Sequence, residues 1–140
     1  MAARTDFTED EWKDLQQGVT GAGLLVSTAH RDFTDSFGEA KAVASQLAAH
    51  RDSESELVRD LSGTHGTGFG LVASPKEVVE GTMSALSASV ALLTQKAPDE
   101  LEAYRTLVLD VANAVAEAKG GVKEEESAAI ERIRGALATA

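Results

Sequence analysis

The chain of 140 residues contains no cysteine, only two prolines, and few aromatic side chains, which make up 4% of it. The lack of cysteine excludes disulfides, thiolate metal sites and cysteine nucleophiles. No apolar run approaches the ~20 residues that a membrane-spanning helix requires, and the first residues, MAARTDFTEDEW, lack the apolar region of a signal peptide. We therefore expect a cytoplasmic protein without membrane insertion, whose core consists mainly of leucine, valine, isoleucine and alanine.

Positive charge is also scarce. There are 13 basic residues against 23 acidic ones, which gives a formal net charge of −10. This charge repels nucleic acid phosphates, and lysine and arginine form no local basic cluster that would reverse the repulsion. We expect no nucleic acid partner, and we expect contacts with protein partners, self-association, or binding of cations.

Helical signals run through most of the chain, whereas sustained period-two alternation is missing. Thr8 with Glu11, and Ser53 with Glu56, fit the capping box, in which a hydroxyl and an acid three residues later each accept a backbone N–H bond from the other. Pro75 fits the first position of a helix. These signals and the apolar spacing predict six helices, at about residues 9–29, 37–50, 54–61, 75–96, 98–118 and 123–138.

The predicted architecture is all-α: a single bundle-like domain of about six helices. Its first half covers residues 8–62, a glycine-rich linker covers 63–73, and its second half covers 74–138. At an offset of 89 residues, Leu15 aligns with Tyr104 and Val19 aligns with Val108. The two ends of the chain therefore read as two pseudo-repeated helical hairpins, joined through a short helix, the linker and a central helix.

The residues predicted to face the core recur at helical spacing. They are Trp12, Leu15, Val19, Ala22 and Val26 in the first helix, Val79, Met83, Leu86, Val90 and Leu93 in the central helix, Leu101, Tyr104, Val108, Val111 and Val115 in the next, and Ile130, Ile133 and Leu137 in the last.

The stretch GTHGTGFG at residues 63–70 has two readings, a phosphate-binding loop or a flexible joint. A phosphate-binding loop of the nucleotide-binding type follows a strand and ends in Gly-Lys-Ser/Thr at the start of a helix. This stretch follows a predicted helix and contains no lysine. We therefore interpret it as a linker that holds no nucleotide.

The segment from Ala114 to Glu126, AVAEAKGGVKEEE, followed by Ile130 and Ile133, resembles the TerB-like family of tellurite-resistance proteins. The family pattern is a helix ending in small residues, then Asp-Gly, an apolar anchor, an acidic run and an apolar helix. The resemblance implies an all-helical fold of duplicated hairpins, and a role in stress and tellurite resistance with metal binding through acidic loop residues. It extends to the first hairpin only through the pseudo-repeat.

The resemblance implies a candidate divalent cation site at Asp32, which Asp35 and Glu39 would complete, with Glu124 and Glu125 as weaker equivalents in the second hairpin. Lys119 stands where the family has an acid, and its charge opposes a cation there. The alternative is structural, because acids in the first turn of a helix interact favourably with the helix dipole by ~0.3–1 kcal/mol each.

No constellation of residues predicts catalysis. The three histidines, His30, His50 and His65, fall at predicted helix ends or in the linker, and Tyr104 falls on the inward stripe. Gly18 and its neighbouring glycines in the first helix predict close helix crossing. The sequence thus favours a non-enzymatic stress or tellurite-resistance accessory protein that binds a protein and a divalent cation. The alternative is a homo-oligomeric helical scaffold without a ligand.

Overall fold

The computed structural model describes residues 6–29, 45–46, 48–53, 55–62, 75–118 and 124–138. Within them lie five α-helices and no strand: α1 (Glu9–Ala29), α2 (Glu56–Ser62), α3 (Pro75–Lys96), α4 (Leu101–Ala118) and α5 (Glu124–Ala138), with a 3-10 turn at Pro98–Glu100 before α4. The all-α class is confirmed. The helix predicted at 37–50 and the linker at 63–73 lie largely or wholly outside the described residues, so the count of six helices, the repeat and the division into halves stay predictions.

The start of α1 is fixed by the predicted capping box. The Thr8 hydroxyl accepts the Glu11 N–H at 3.1 Å, and the Glu11 carboxylate accepts the Thr8 N–H at 2.9 Å. Phe7 and Trp12 flank the box, and their ring centroids lie 6.2 Å apart. This contact between the residue before the cap and the fourth residue after the cap is a hydrophobic staple, which fixes the angle at which the chain enters the helix.

Lys96, the last residue of α3, ties the end of that helix to the start of α1. Its ammonium group lies 2.7 Å from a Glu11 carboxylate oxygen and 5.7 Å from the centroid of the Phe7 ring. The Lys96 hydrogen bond, followed by the Thr8 N–H, lowers the pKa of the Glu11 carboxyl. The capping carboxylate is therefore held in its charged form by a residue from another helix.

Helix α1 is the central element of the bundle, because it packs against α3, α4 and α5. Its inward stripe is buried as predicted, and Gly18, Gly21 and Gly23 are buried too. One hydrophobic cluster draws on all five described helices. Within the described residues, no helix is both long enough and apolar enough to cross a membrane.

The start of α2 differs from the prediction. The helix begins at Glu56, and its cap is Ser55, whose hydroxyl accepts the Val58 N–H at 3.1 Å. The hydroxyl of Ser53, the predicted cap, instead accepts the N–H of Ser55 at 3.2 Å, two residues before the helix begins its cap at Ser55. The predicted pairing of Ser53 with Glu56 was wrong because the acid that completes this cap comes from elsewhere in the chain: it is Glu100.

Candidate functional site

Glu100, in the 3-10 turn before α4, is a buried acid that caps another helix. One of its carboxylate oxygens accepts the Leu57 N–H at 3.1 Å and also accepts the Ser55 hydroxyl. The side chain is 4% exposed. A carboxylate held in this way supplies the negative charge that a helix N-terminus favours and cannot reach a substrate in solvent. Glu100 is therefore a structural residue that joins α2 to the start of α4.

Tyr104 is the largest fully buried side chain. Its hydroxyl donates to the Leu15 carbonyl oxygen in α1 at 2.8 Å. Burial raises the pKa of this hydroxyl well above its ordinary value, and the charge of Asp14 adds to the rise, while the nearby Ser89 hydroxyl opposes it. The tyrosine therefore stays protonated and donates to the backbone, as a core residue rather than a catalyst.

Gly18 is the point where Tyr104 reaches α1. A Cβ atom placed on Gly18 would lie 2.2 Å from the Tyr104 hydroxyl oxygen and 3.1 Å from a methyl carbon of Leu86. Contacts under 3.0 Å essentially never occur for real Cβ atoms. The close crossing that the glycines of the first helix predict is therefore present at Gly18, between α1, α3 and α4.

Two hydroxyl groups of α3 are buried in the bundle, and one of them, that of Ser89, lies close to Tyr104. Thr82 and Ser89 are both 0% exposed, and neither hydroxyl has a hydrogen-bond partner among the residues that the structure describes. By contrast, the hydroxyls of Thr20 and Thr94 donate to the carbonyl four residues earlier, at 2.9 and 2.7 Å. The Ser89 hydroxyl lies near that of Tyr104 without a hydrogen bond of ordinary geometry.

His50 directly follows the helical residues 48–49, in agreement with its predicted place at a helix end. Its Nε2 atom lies 3.0 Å from a carboxylate oxygen of Asp110 in the middle of α4. The contact joins the chain before α2 to α4, and it gives His50 a partner. His30 and His65 lie outside the described residues.

The side chains of the predicted cation site are not among those that the structure describes. Asp32, Asp35 and Glu39 lie outside the described residues, and for Glu124 and Glu125 only the backbone is described, in the first turn of α5. In the part of the chain that the structure describes, no three histidine or acidic side chains form a group that would hold a metal ion. The predicted site therefore stays a prediction.

An open depression of about 280 Å³ lies on the outer surface between α4 and α5. We call it the α4–α5 groove, and its lining residues are Arg105, Leu109, Arg134, Leu137 and Ala138. The half-buried Leu109 and the exposed Ala138 supply an apolar floor beside the two arginines, whereas Leu137 is only 2% exposed. This combination of an apolar surface with a few charged groups is typical of binding surfaces.

Arg105 is held in place at one end of the groove. Its Nε atom donates to the Leu137 carbonyl oxygen at 2.9 Å, and its Nη1 atom donates to the Glu102 carboxylate. Leu137 is in the last turn of α5, where carbonyl groups lack partners within the helix. The guanidinium group therefore caps α5 and keeps further N–H donors beside the groove.

Arg134 is less constrained at the other side of the groove. Its Nε atom lies 3.8 Å from a carboxylate oxygen of Glu131, and its side chain is 55% exposed. Exposed pairs of this kind contribute little to folding stability, about 0–1 kcal/mol. Arg134 therefore has no strong structural role that would account for its place at the groove.

The groove residues were not predicted as a site from the sequence. A signal for them exists: an acid precedes an arginine by three residues in both helices, as Glu102–Arg105 and Glu131–Arg134. The sequence nevertheless gives no reason to expect Arg105 and Arg134 at one site, since they are 29 positions apart. Only the packing of α4 against α5 places them beside one depression.

The small residues of α3 divide between the core and the surface. Ala85 and Ser89 are buried, whereas Ser84, Ala88 and Ala91 are exposed. Close crossing inside the domain therefore explains only the inward residues of this set.

A scan of protein-family models, a search of curated proteins and a search of solved structures found no match to this chain. The resemblance to the TerB-like family therefore rests on the sequence pattern of residues 114–133 alone.

Proposed function

We propose that this chain is a non-enzymatic binding protein, of the kind that TerB-like accessory proteins of stress and tellurite resistance represent, and that it binds a protein partner at the α4–α5 groove. The observation that carries the proposal is the pairing of two guanidinium groups with an apolar floor in one open depression. Arginine is enriched at protein interfaces, where its charge and its planar group contact both polar and apolar surfaces.

The buried polar residues support a binding role over a catalytic one. Tyr104 donates its proton to a backbone carbonyl, and Glu100 accepts two bonds at a helix start. Each has a structural task that would be lost if it turned toward a substrate. The groove, by contrast, contains Arg134, whose exposed ion pair with Glu131 contributes little to folding stability.

The proposal is tested by capture of partners from the cells that produce the protein, with two charge-reversed variants. Arg134→Glu places an acid in the groove, and Arg132→Glu makes the same change at an exposed position of α5 that does not line the groove. Quantitative mass spectrometry should find a protein retained by the parent and by Arg132→Glu, and lost with Arg134→Glu. Equal retention by all three proteins would refute the groove as the binding surface.

The alternative is self-association, as expected of a helical scaffold. Sedimentation equilibrium of the parent and of Arg134→Glu distinguishes it from binding to another protein. A monomeric parent supports a separate partner, and a parent oligomer that dissociates on Arg134→Glu would replace the proposal with a scaffold that uses the same groove.

A further inference from the structure

The charges along the α4–α5 groove follow a definite order. The bond between Arg105 and the Leu137 carbonyl sets Arg105 level with the end of α5, and α4 and α5 run in opposite directions. Leu109, one turn further along α4, lies toward Arg134 on the other side of the groove. Glu102 and Glu131 each precede their arginine by three residues and therefore lie toward opposite outer ends. Along the groove the order is therefore Glu102, then Arg105, then Leu109 beside Arg134, then Glu131, so two bases and one apolar side chain stand between two acids.

The two outer acids are exposed and exchangeable. The side chains of Glu102 and Glu131 are 79% and 71% exposed. Exposed ion pairs at this helical spacing stabilise a helix by only about 0.2–0.5 kcal/mol. An incoming carboxylate can therefore replace either acid at its guanidinium group at small cost.

The arginine at one end is also oriented in advance. Arg105 is 25% exposed, and its Nε atom is fixed on the Leu137 carbonyl. A guanidinium group offers five N–H donors in a planar fork that matches a carboxylate. Because its orientation is set by the fold, less side-chain entropy is lost when it binds.

Resting on the proposed function, we propose that the groove binds an acidic segment of a partner protein, in which an aliphatic side chain lies between two carboxylate side chains. The aliphatic group would contact the half-buried Leu109, and each carboxylate would meet one of the two arginines. This arrangement is the charge complement of the groove. A second copy of this chain lying antiparallel along the groove would place like charges opposite each other, which is unfavourable.

The net charge of −10 does not prevent this contact. At physiological ionic strength the Debye length is about 8 Å, so most of the acidic surface is screened from the partner. Guanidinium and carboxylate groups in direct contact are screened much less. The groove is a local site where basic groups face outward on an acidic protein.

The test uses a defined peptide and a nuclear magnetic resonance titration of the full chain. The probe is Gly-Glu-Leu-Glu-Gly with both ends blocked, so that its side chains supply its only carboxylates. A second peptide replaces both glutamates by lysine, and a third replaces the leucine by serine. A fourth, Gly-Ser-Leu, has a blocked amino end and a free terminal carboxylate. Backbone amide shifts should cluster in α4 and α5 near Arg105, Leu109 and Arg134 with the first peptide and be much smaller with the other three.

Arg134→Gln and Arg132→Gln form the matched pair of variants. Both remove one positive charge from α5, and only Arg134 lines the groove. Loss of an exposed ion pair should weaken binding of the glutamate peptide by up to about fivefold in Arg134→Gln, and Arg132→Gln should bind like the parent. Arg105→Lys keeps the charge and removes the planar fork, so it should also weaken binding.

The outcomes separate this inference from the proposed function. Equal binding of the glutamate and lysine peptides, preferred binding of the peptide with a free terminal carboxylate, or equal weakening by Arg134→Gln and Arg132→Gln overturns the acidic segment as the occupant. If the peptide fails while Arg134→Glu still abolishes capture of a cellular partner, the chemistry of the occupant is wrong and the groove still binds a protein. If both experiments fail, the proposed function falls as well.

Discussion

The crossing at Gly18 gives a prediction whose size follows from the structure. In Gly18→Ala, the new methyl group would lie 2.2 Å from the Tyr104 hydroxyl oxygen. The hydroxyl must move away, and it then loses its 2.8 Å bond to the Leu15 carbonyl. Leu86, whose methyl carbon would lie 3.1 Å from the same atom, limits movement on that side. We expect Gly18→Ala to destabilise the fold although alanine favours helix.

Three contributions set the magnitude. Overpacking of a dense core costs about 1–3 kcal/mol, and a buried hydroxyl left without its partner costs about 1–3 kcal/mol. Alanine returns about 1 kcal/mol relative to glycine in the interior of a helix. The expected loss in the free energy of unfolding is therefore about 1–5 kcal/mol.

Urea denaturation followed by the fluorescence of Trp12 measures this loss, because Trp12 is the single tryptophan and is 4% exposed. Tyr104→Phe provides the second arm of a double-mutant cycle. Without the hydroxyl, the nearest atoms to the new methyl group are at 3.1 and 3.4 Å, so Gly18→Ala should cost little in that background. The coupling energy between the two changes should therefore be close to the whole cost of Gly18→Ala in the parent, about 1–5 kcal/mol.

The matched control is Gly135→Ala in α5. A Cβ atom on Gly135 would meet nothing within 4 Å, so this change should stabilise the protein by up to about 1 kcal/mol. Equal costs of Gly18→Ala with tyrosine and with phenylalanine at position 104 would refute the reasoning, since the hydroxyl would then not be what requires glycine. A stabilising Gly18→Ala would refute it as well.

Three further predictions concern the caps and the predicted cation site. Glu100→Ala leaves the buried Leu57 N–H without its acceptor, so urea denaturation should show a loss of about 1–3 kcal/mol. Lys96→Met should raise the pKa of the Glu11 carboxyl toward its ordinary value of 4.5 in a titration by nuclear magnetic resonance. Because the folded-state pKa of Glu11 is lowered, its stabilising effect is present above pH 4.5 and is lost as the pH falls through the folded value; an unchanged pKa in Lys96→Met would contradict the ion pair. If a divalent cation binds at Asp32, millimolar calcium, magnesium, manganese or zinc should raise the melting temperature of the parent and not of Asp32→Asn, and equal rises would indicate only screening of the net charge.

Local signals were enough to predict much of the fold. The start of α1 follows from the Thr8–Glu11 box, because each bond of a cap joins residues within one turn. Pro75 begins α3 as predicted, since its fixed backbone angle suits a first helical position. The inward stripes of α1 and α4 follow from a spacing of three and four residues, which does not depend on the rest of the chain.

Sequence by itself thus determined the helical class, the start of α1, the bounds of α3 and the sides of α1, α3, α4 and α5 that face the core. Tertiary structure decided the contacts between residues distant in the chain. Glu100 caps α2 across 43 positions, and the Tyr104 hydroxyl meets Leu15 across 89. Arg105 and Arg134 share a groove for the same reason: rotation and register between two helices depend on how the whole core packs. A local pattern fixes which residues share one helix face, and only the packed bundle fixes which face meets which.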